Sequence, residues 1–241
     1  MNSLIFTNGS LVNNKVETDL SVPEIAALVA DKKIVVIKNL FPEQPLRELR
    51  REVAAWATTV EPATADDFRG NYHSMKAKVS NLQKVPHVFH DYNFNDFSIL
   101  SESMRTKMLA VFDPLRSFYN ELTGYNVPFG FIEGAPYLHP QVIQYPVGGG
   151  FFGRHNHNLL PQKIGFILSL SRYGQDYKGG GTCFEINGEI IDMESHQDMG
   201  DLVLWPNDVD HWVKQAPLDD WFSWDYETGR WIITLAYFNP Y

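Results

Sequence analysis

The spacing of apolar positions changes character about halfway along the 241-residue chain. Residues 33–37, KIVVI, are a β-branched run that predicts a buried strand leaving a short N-terminal segment. Leu46, Leu49, Val53 and Trp56 then recur at helical spacing, with Arg47, Glu48, Arg50, Arg51 and Glu52 between them and Pro45 suited to a first helical turn. This predicts an amphipathic helix laid over a sheet. Met104, Met108, Val111, Leu115, Phe118 and Leu122 keep the same spacing across 98–124, with Thr123-Gly124 as a stop and Pro114 as a point where the helix would kink or split. Between these helices, 61–97 has no period and carries Pro62, Gly70 and Pro86; so long a loop predicts a lid over a binding site.

After Gly124 the pattern becomes a series of short strands divided by glycine, proline and asparagine turns: HPQVIQY, KIGFILSLS, GTCFEI, GEIIDM, DLVLW, HWVKQ and RWIITLAYF. Ile186-Asn187-Gly188-Glu189 is a strong hairpin signal within it. The series predicts an antiparallel sandwich or barrel with helices packed against it. A single domain over 1–241 is expected, with 1–130 supplying strand, helices and lid and 131–241 the β core.

Composition narrows the partners. The net charge is −9, with acidic and basic residues interspersed, so no footprint for a nucleic-acid backbone appears. One cysteine, Cys183, excludes an internal disulfide and any cysteine-built metal cluster. The N-terminal MNSLIFTNGS has no basic start followed by a long apolar run, and no stretch approaches the ~20 apolar residues of a membrane span. A cytoplasmic protein that binds neither membrane nor nucleic acid is expected.

The chemistry concentrates in Tyr145 to Asn158, YPVGGGFFGRHNHN. In an extended strand His155 and His157 point to one face and can converge on one metal ion. His211 follows in VDHWV, and Arg230 opens an apolar strand where a buried carboxylate partner would explain it. Glycines 148–150 are not followed by the GK[ST] of a phosphate cradle and read as a turn, as do Gly179 to Gly181.

Taken in order, Tyr145 with Gly148 and Phe151, His155, Lys163 to Phe166, Gly179 to Thr182, Gly200-Asp201-Leu202, His211 with Val213, and Arg230 resemble the C-terminal core of the 2-oxoglutarate and Fe(II)-dependent oxygenases, in the prolyl-hydroxylase-like branch. The resemblance covers about the last hundred residues. It implies a mainly β fold with flanking helices and a double-stranded β-helix core of the jelly-roll, cupin-like kind. It also implies a dioxygenase using Fe(II), 2-oxoglutarate and O2, in which oxidative decarboxylation to succinate drives oxidation, most simply hydroxylation, of a substrate C–H bond. His155 and His211 would be metal ligands. Arg230 would pair with the far carboxylate of 2-oxoglutarate, and Tyr145 and Thr234 would add hydroxyl hydrogen bonds.

His157 departs from the family pattern by standing where Asp or Glu is usual. Three outcomes stay open: it ligates and completes a three-histidine face, it points away from an empty position, or metal binding is impaired. The first is preferred, because imidazole suits iron and the i, i+2 spacing permits it. Taking His157 as first ligand instead would put Leu159, which cannot ligate, in the carboxylate position, and Asp210 beside His211 would face the opposite way. The rivals to the oxygenase reading are a three-histidine dioxygenase that needs no 2-oxoglutarate and a catalytically silent binding protein. A small molecule, such as an amino acid or natural-product intermediate, is the expected substrate. Its candidate contacts are His87, His90, Tyr92 and Asn93 in 86–97, Arg154, and Trp221 and Trp224 in the acidic, aromatic segment 218–229. His73, His139 and His196 read as ordinary hydrogen-bonded residues.

Overall fold

A computed structural model describes residues 3–65, 69–78 and 85–239. The chain starts with a hairpin, β1 (Leu4–Val12) and β2 (Lys15–Thr18). It continues through α1 (Val22–Ala30), β3 (Ile34–Lys38) and α2 (Glu43–Ala57). Strands β4 (Tyr72–Lys78) and β5 (His87–Asn93) follow, and then the long helix α3 (Glu102–Thr123). Eight strands complete the fold: β6 (Tyr137–Tyr145), β7 (Phe151–His155), β8 (Ile164–Ser169), β9 (Thr182–Ile186), β10 (Glu189–Asp192), β11 (Leu202–Pro206), β12 (Asp210–Val213) and β13 (Arg230–Phe238).

These eight strands pair in two arrays, β6-β13-β8-β11 and β7-β12-β9-β10, the first extended at its β11 edge by β3, β1 and β2. Alternation along each strand makes two cores. Ile233 and Leu235 of β13 point outward with Leu168, Leu202 and Leu204 to meet Leu49 and Val53 of α2 and Met108, Phe112 and Leu115 of α3. Ile232 points inward with Ile143, Tyr145, Ile167, Phe184, Trp205 and Val213, filling the space between the arrays. Burying the outward row draws the helices onto the face of the first array.

Local chemistry explains the elements. Ser21 and Glu24 close a reciprocal cap on α1, with the Ser21 backbone N–H donating to Glu24 Oε2 at 2.8 Å. The hairpin expected at Asn187-Gly188 joins β9 to β10, with φ of +54° and +80° at the two residues. The split anticipated at Pro114 does not occur: α3 runs through it because Val111, Phe112, Leu115 and Phe118 are buried on either side, and packing outweighs one lost backbone hydrogen bond.

The lid expected at 61–97 is corrected in part. Residues 66–68 and 79–84 lie outside the described residues, but β4 and β5 are paired strands with matched register from Tyr72↔Asn93 to Lys78↔His87. β5 bridges the arrays, pairing with β6 through His90 to Asn93 and with β7 through His87 and Val88. It is built into the sheet, not laid over it. Among the described residues no helix is long and apolar enough to cross a membrane.

Candidate metal centre

His155 ends β7 and His211 lies at the start of β12; the two are direct cross-strand partners. His157 lies two residues past His155, beyond the end of β7, and its backbone N–H donates to the Asn207 carbonyl at 3.1 Å. The strand on which the same-face expectation rested stops at His155, and a tethered loop, not strand geometry, brings the third ring to the other two. The ring centroids of His155 and His211 are 4.3 Å apart, those of His155 and His157 4.9 Å, and those of His157 and His211 5.4 Å. One ligand nitrogen from each ring falls within 4.8 Å of the other two.

Backbone carbonyls prepare two of these rings as ligands. His155 Nδ1 meets Gly153 O at 2.8 Å and His211 Nδ1 meets Val209 O at 2.9 Å. A carbonyl only accepts, so each Nδ1 carries the proton and each Nε2 presents a lone pair, the state a metal needs. Burial and then the neighbouring His155 lower His211 to about 3 and His157 to about 4, although His157 keeps an exposed edge. Burial also lowers His155, against the opposing pull of its Gly153 hydrogen bond. All three are neutral at pH 7. The donor set, three imidazoles on a half-open site without cysteine, suits iron.

The histidines stand at the mouth of a cavity of about 190 Å³ between the arrays, lined by Tyr145 and Thr234 as well as Gln141, Gln162, Asn207 and Trp205. Residues 216–229 lie outside its lining and border a small adjoining pocket through Ala216, Pro217, Asp220 and Gly229. Ala216 N–H donates to Gly150 O at 2.8 Å and Val147 bridges Ser223, which pins this segment over the turn joining β6 to β7. There Arg230 opens β13 opposite Tyr145.

Arg230 is 2% exposed. Its Nη2 donates to Thr182 Oγ1 at 2.6 Å, its guanidinium lies 5.6 Å from the Tyr145 ring centroid, and Nη1 has no hydrogen-bond partner. Among the described residues it forms no ion pair. The guanidinium sits behind Tyr145 and Thr182, lining a small adjoining pocket with Tyr177. Burial pushes the Tyr145 phenol up to about 12, with Arg230 pulling the other way, so Tyr145 stays a hydrogen-bond donor. Along β9 and β12, the pairs His211↔Phe184 and Val213↔Thr182 separate the histidine level from the Thr182 level by two residues, roughly 7 Å. That span is comparable with an extended five-carbon dicarboxylate.

The substrate candidates scatter. His90, Tyr92 and Asn93 are buried. His90 Nε2 meets His73 Nδ1 at 2.8 Å, its Nδ1 meets Tyr92 OH at 2.9 Å, and Tyr92 packs among the helix-side residues, so these two sit on the face away from the cavity. Asn93 Oδ1 accepts from Gln141 Nε2 at 2.7 Å and thereby holds a cavity-lining residue. His87 lies against Phe152, centroids 5.4 Å apart, one ring removed from His155. Arg154, next to His155, faces outward by strand alternation and is committed to Asp210 at 2.7 Å and Glu185 at 2.6 Å. Trp221 is almost fully exposed, Trp224 packs edge-on against His90 with centroids 6.0 Å apart, and neither lines the cavity. His73 and His139 are buried and hydrogen-bonded, as expected.

Gln141, Gln162, Asn207 and Trp205 are cavity residues that the sequence reading did not single out. Alternation back from Tyr145 would have found Gln141, the one amide among the inward positions of an apolar strand.

Two four-stranded arrays in this order make a double-stranded β-helix, with the three histidines gathered beside its cavity. Among similar solved structures, a Pseudomonas putida prolyl-4-hydroxylase has a TM-score of 0.55 at 18% identity over 89% of this chain and 97% of that one. A prolyl hydroxylase from Trichoplax adhaerens, solved with a hypoxia-inducible-factor peptide fragment, has a TM-score of 0.54 at 15% identity, covering 90% of this chain and 88% of that one. SnoN, a non-haem α-ketoglutarate-dependent epimerase of nogalamycin biosynthesis, has 0.53 at 11%, covering 90% and 82%. At such identities the likeness is one of fold. No protein-family model matches the chain, and no curated protein matches it in sequence.

Proposed function

We propose that the chain is an iron(II) and 2-oxoglutarate-dependent dioxygenase that oxidises, most simply hydroxylates, a C–H bond of a small molecule. The observation that carries this reading is Arg230, a buried guanidinium with an unpaired N–H and no carboxylate partner among the described residues, placed below three converging imidazoles. Buried charges are normally paired, so the missing anion is best supplied by a ligand. A 2-oxo dicarboxylate fits, with its oxo-acid end toward the histidines and its far carboxylate toward Arg230, Thr182 and Tyr145.

His155, His157 and His211 would hold the metal. Bound there, iron and 2-oxoglutarate supply an oxidation in which O2, 2-oxoglutarate and substrate become succinate, CO2 and hydroxylated product. The chain's own part is to orient and to exclude water. Gly153 O and Val209 O fix the tautomers of two ligands, and Arg230 sets the direction of the co-substrate. Phe152, Trp205 and Trp212 keep the cavity wall apolar, while Gln141, Gln162, Asn207 and Thr234 offer it uncharged hydrogen-bonding groups. Those amides, and the acidic surface elsewhere, support an uncharged polar substrate or segment such as an amino-acid derivative or natural-product intermediate. The Trichoplax enzyme's peptide is the larger counterpart on the same fold. A cytoplasmic setting belongs to the same reading.

Anaerobic addition of Fe(II) and then 2-oxoglutarate tests the assignment. A weak visible charge-transfer band is expected only when both are present. Iron retention with no response to 2-oxoglutarate would overturn the reading in favour of a three-histidine dioxygenase, which the replacement of a carboxylate by His157 keeps in view. Failure to retain iron would favour a silent binding protein.

A further inference from the structure

A second unpaired donor belongs to a residue of the main cavity's wall. Trp205 is 4% exposed and lines the wall, yet its indole Nε1–H, a group that can only donate, has no acceptor. Its placement is tightly specified. Trp205 on β11 pairs with Gly165 on β8, and the indole lies over that glycine, where any Cβ would overlap its Cε2, Cζ2 and Nε1 atoms. On its other sides the ring meets Phe184, with centroids 5.1 Å apart, and the ligand candidate His211, at 5.3 Å. The amides of the same cavity are held through their nitrogens, Gln141 Nε2 donating to Asn93 Oδ1 at 2.7 Å and Asn207 Nδ2 to Asn158 O at 3.3 Å, and neither amide oxygen accepts from the indole. A phenylalanine would fill an apolar wall at less cost, because a buried donor without an acceptor is destabilising.

We infer that Trp205 is a positioning residue for the anionic co-substrate, its indole N–H donating to an oxygen of the bound 2-oxo acid beside the histidines while Arg230 holds the other end. The inference rests on the 2-oxoglutarate reading above and goes beyond it by assigning a donor on β11. Two donors at two levels of the cavity fix both the direction and the tilt of a five-carbon acid. One donor fixes only its direction. The arrangement also favours a carboxylate-bearing occupant, since a donor-only group gains nothing from an apolar ligand.

The test uses the whole chain loaded with Zn(II), which is diamagnetic and takes imidazole ligands. In a proton–nitrogen spectrum the Trp205 indole signal, assigned through its contacts with Gly165 and His211, should move downfield by several tenths of a part per million when 2-oxoglutarate is added. Its exchange with water should slow at least tenfold, and neither effect should follow Zn(II) alone. Replacing Trp205 by its benzothiophene isostere keeps the ring and removes the N–H; calorimetry should then show 2-oxoglutarate binding about ten- to a hundredfold more weakly, with zinc content unchanged. Trp205→Phe should follow the isostere. Tight 2-oxoglutarate binding with an unmoved indole signal, or an isostere that binds as the parent does, would overturn the assignment of Trp205 and leave the oxygenase reading intact. If the parent binds no 2-oxoglutarate while holding zinc, the underlying reading fails, and this inference fails with it.

Discussion

Arg230 makes a prediction in which stability and binding move in opposite directions. The guanidinium is 2% exposed, donates to Thr182 and leaves Nη1 unsatisfied, with no carboxylate beside it among the described residues. In the ligand-free protein it is therefore a buried charge whose desolvation is barely offset. Arg230→Met keeps the length and much of the volume while removing the charge. Replacing buried ionic groups by apolar ones of similar size is neutral or stabilising by about 1–4 kcal/mol. A chain of this size gains roughly 2–4 °C in melting temperature per kcal/mol, so the ligand-free variant is expected to melt no lower than the parent and up to about 16 °C higher. The parent, loaded with metal and given 2-oxoglutarate at a hundredfold over its Kd, should gain about 2.7 kcal/mol, or roughly 5–11 °C. The variant should show almost none of that second shift, because it lacks the charge-assisted hydrogen bonds that hold the far carboxylate. Thermal melts of parent and variant, each with metal alone and with metal plus 2-oxoglutarate, read all four states. A variant that melts well below the parent without ligand would make Arg230 a structural residue, and one that keeps the full 2-oxoglutarate shift would refute its pairing with the acid.

Two further predictions concern histidines. His157→Ala should lower metal affinity at least tenfold, since loss of even a supporting outer partner of a metal ligand costs about 10–100-fold, and His157→Asp should restore it; metal titrations in which alanine matches the parent would remove His157 from the ligand set. Burial and the adjacent His73 hold His90 at about 3, against an ordinary value of 6.5, so its contribution to stability is complete above pH 6.5 and is lost as pH falls toward 3. At pH 5 the loss is about 2 kcal/mol. The stability gap between parent and His90→Gln, measured by urea unfolding of the metal-free proteins, should therefore narrow by about that amount between pH 7 and pH 5, and a constant gap would refute the assignment.

What the sequence shows of this molecule depends on whether a residue's partners are near it in the chain. Strands β8, β9, β11 and β13 announce themselves through apolar runs, and Asn187-Gly188 through its turn. β1 does not, because the Asn8-Gly9 pair inside it imitates a turn. Gly9 is there because Ile37 of the parallel strand β3 occupies the space a Cβ would need, while the turn itself falls at Asn13 and Asn14, both with positive φ. β4 and β5 hide for a related reason. Both faces of β5 are buried, so it shows no alternation, and the polar groups it buries find partners far along the chain: His90 with His73, Asp91 with Ser74 at 2.7 Å, and Tyr92 with Gln144 at 3.3 Å. Polar residues of this kind look like a loop until the partner strands are known.

The same distinction divides the site. His155, His211 and Arg230 stand out because each lies at or next to the end of a strand, where spacing is constrained. Arg154 and Trp221 looked equally rich in chemistry. Strand alternation sends Arg154 to the outside, one residue from a candidate ligand, and Trp221 is almost fully exposed and lines no part of the cavity. Proximity in sequence to a ligand thus says little in this fold; parity along the strand and the end at which a loop emerges say much more. By that criterion the residues to weigh with His155 are the inward positions of neighbouring strands, Gln141 on β6, Trp205 on β11 and Thr234 on β13, however far they lie from it in the chain.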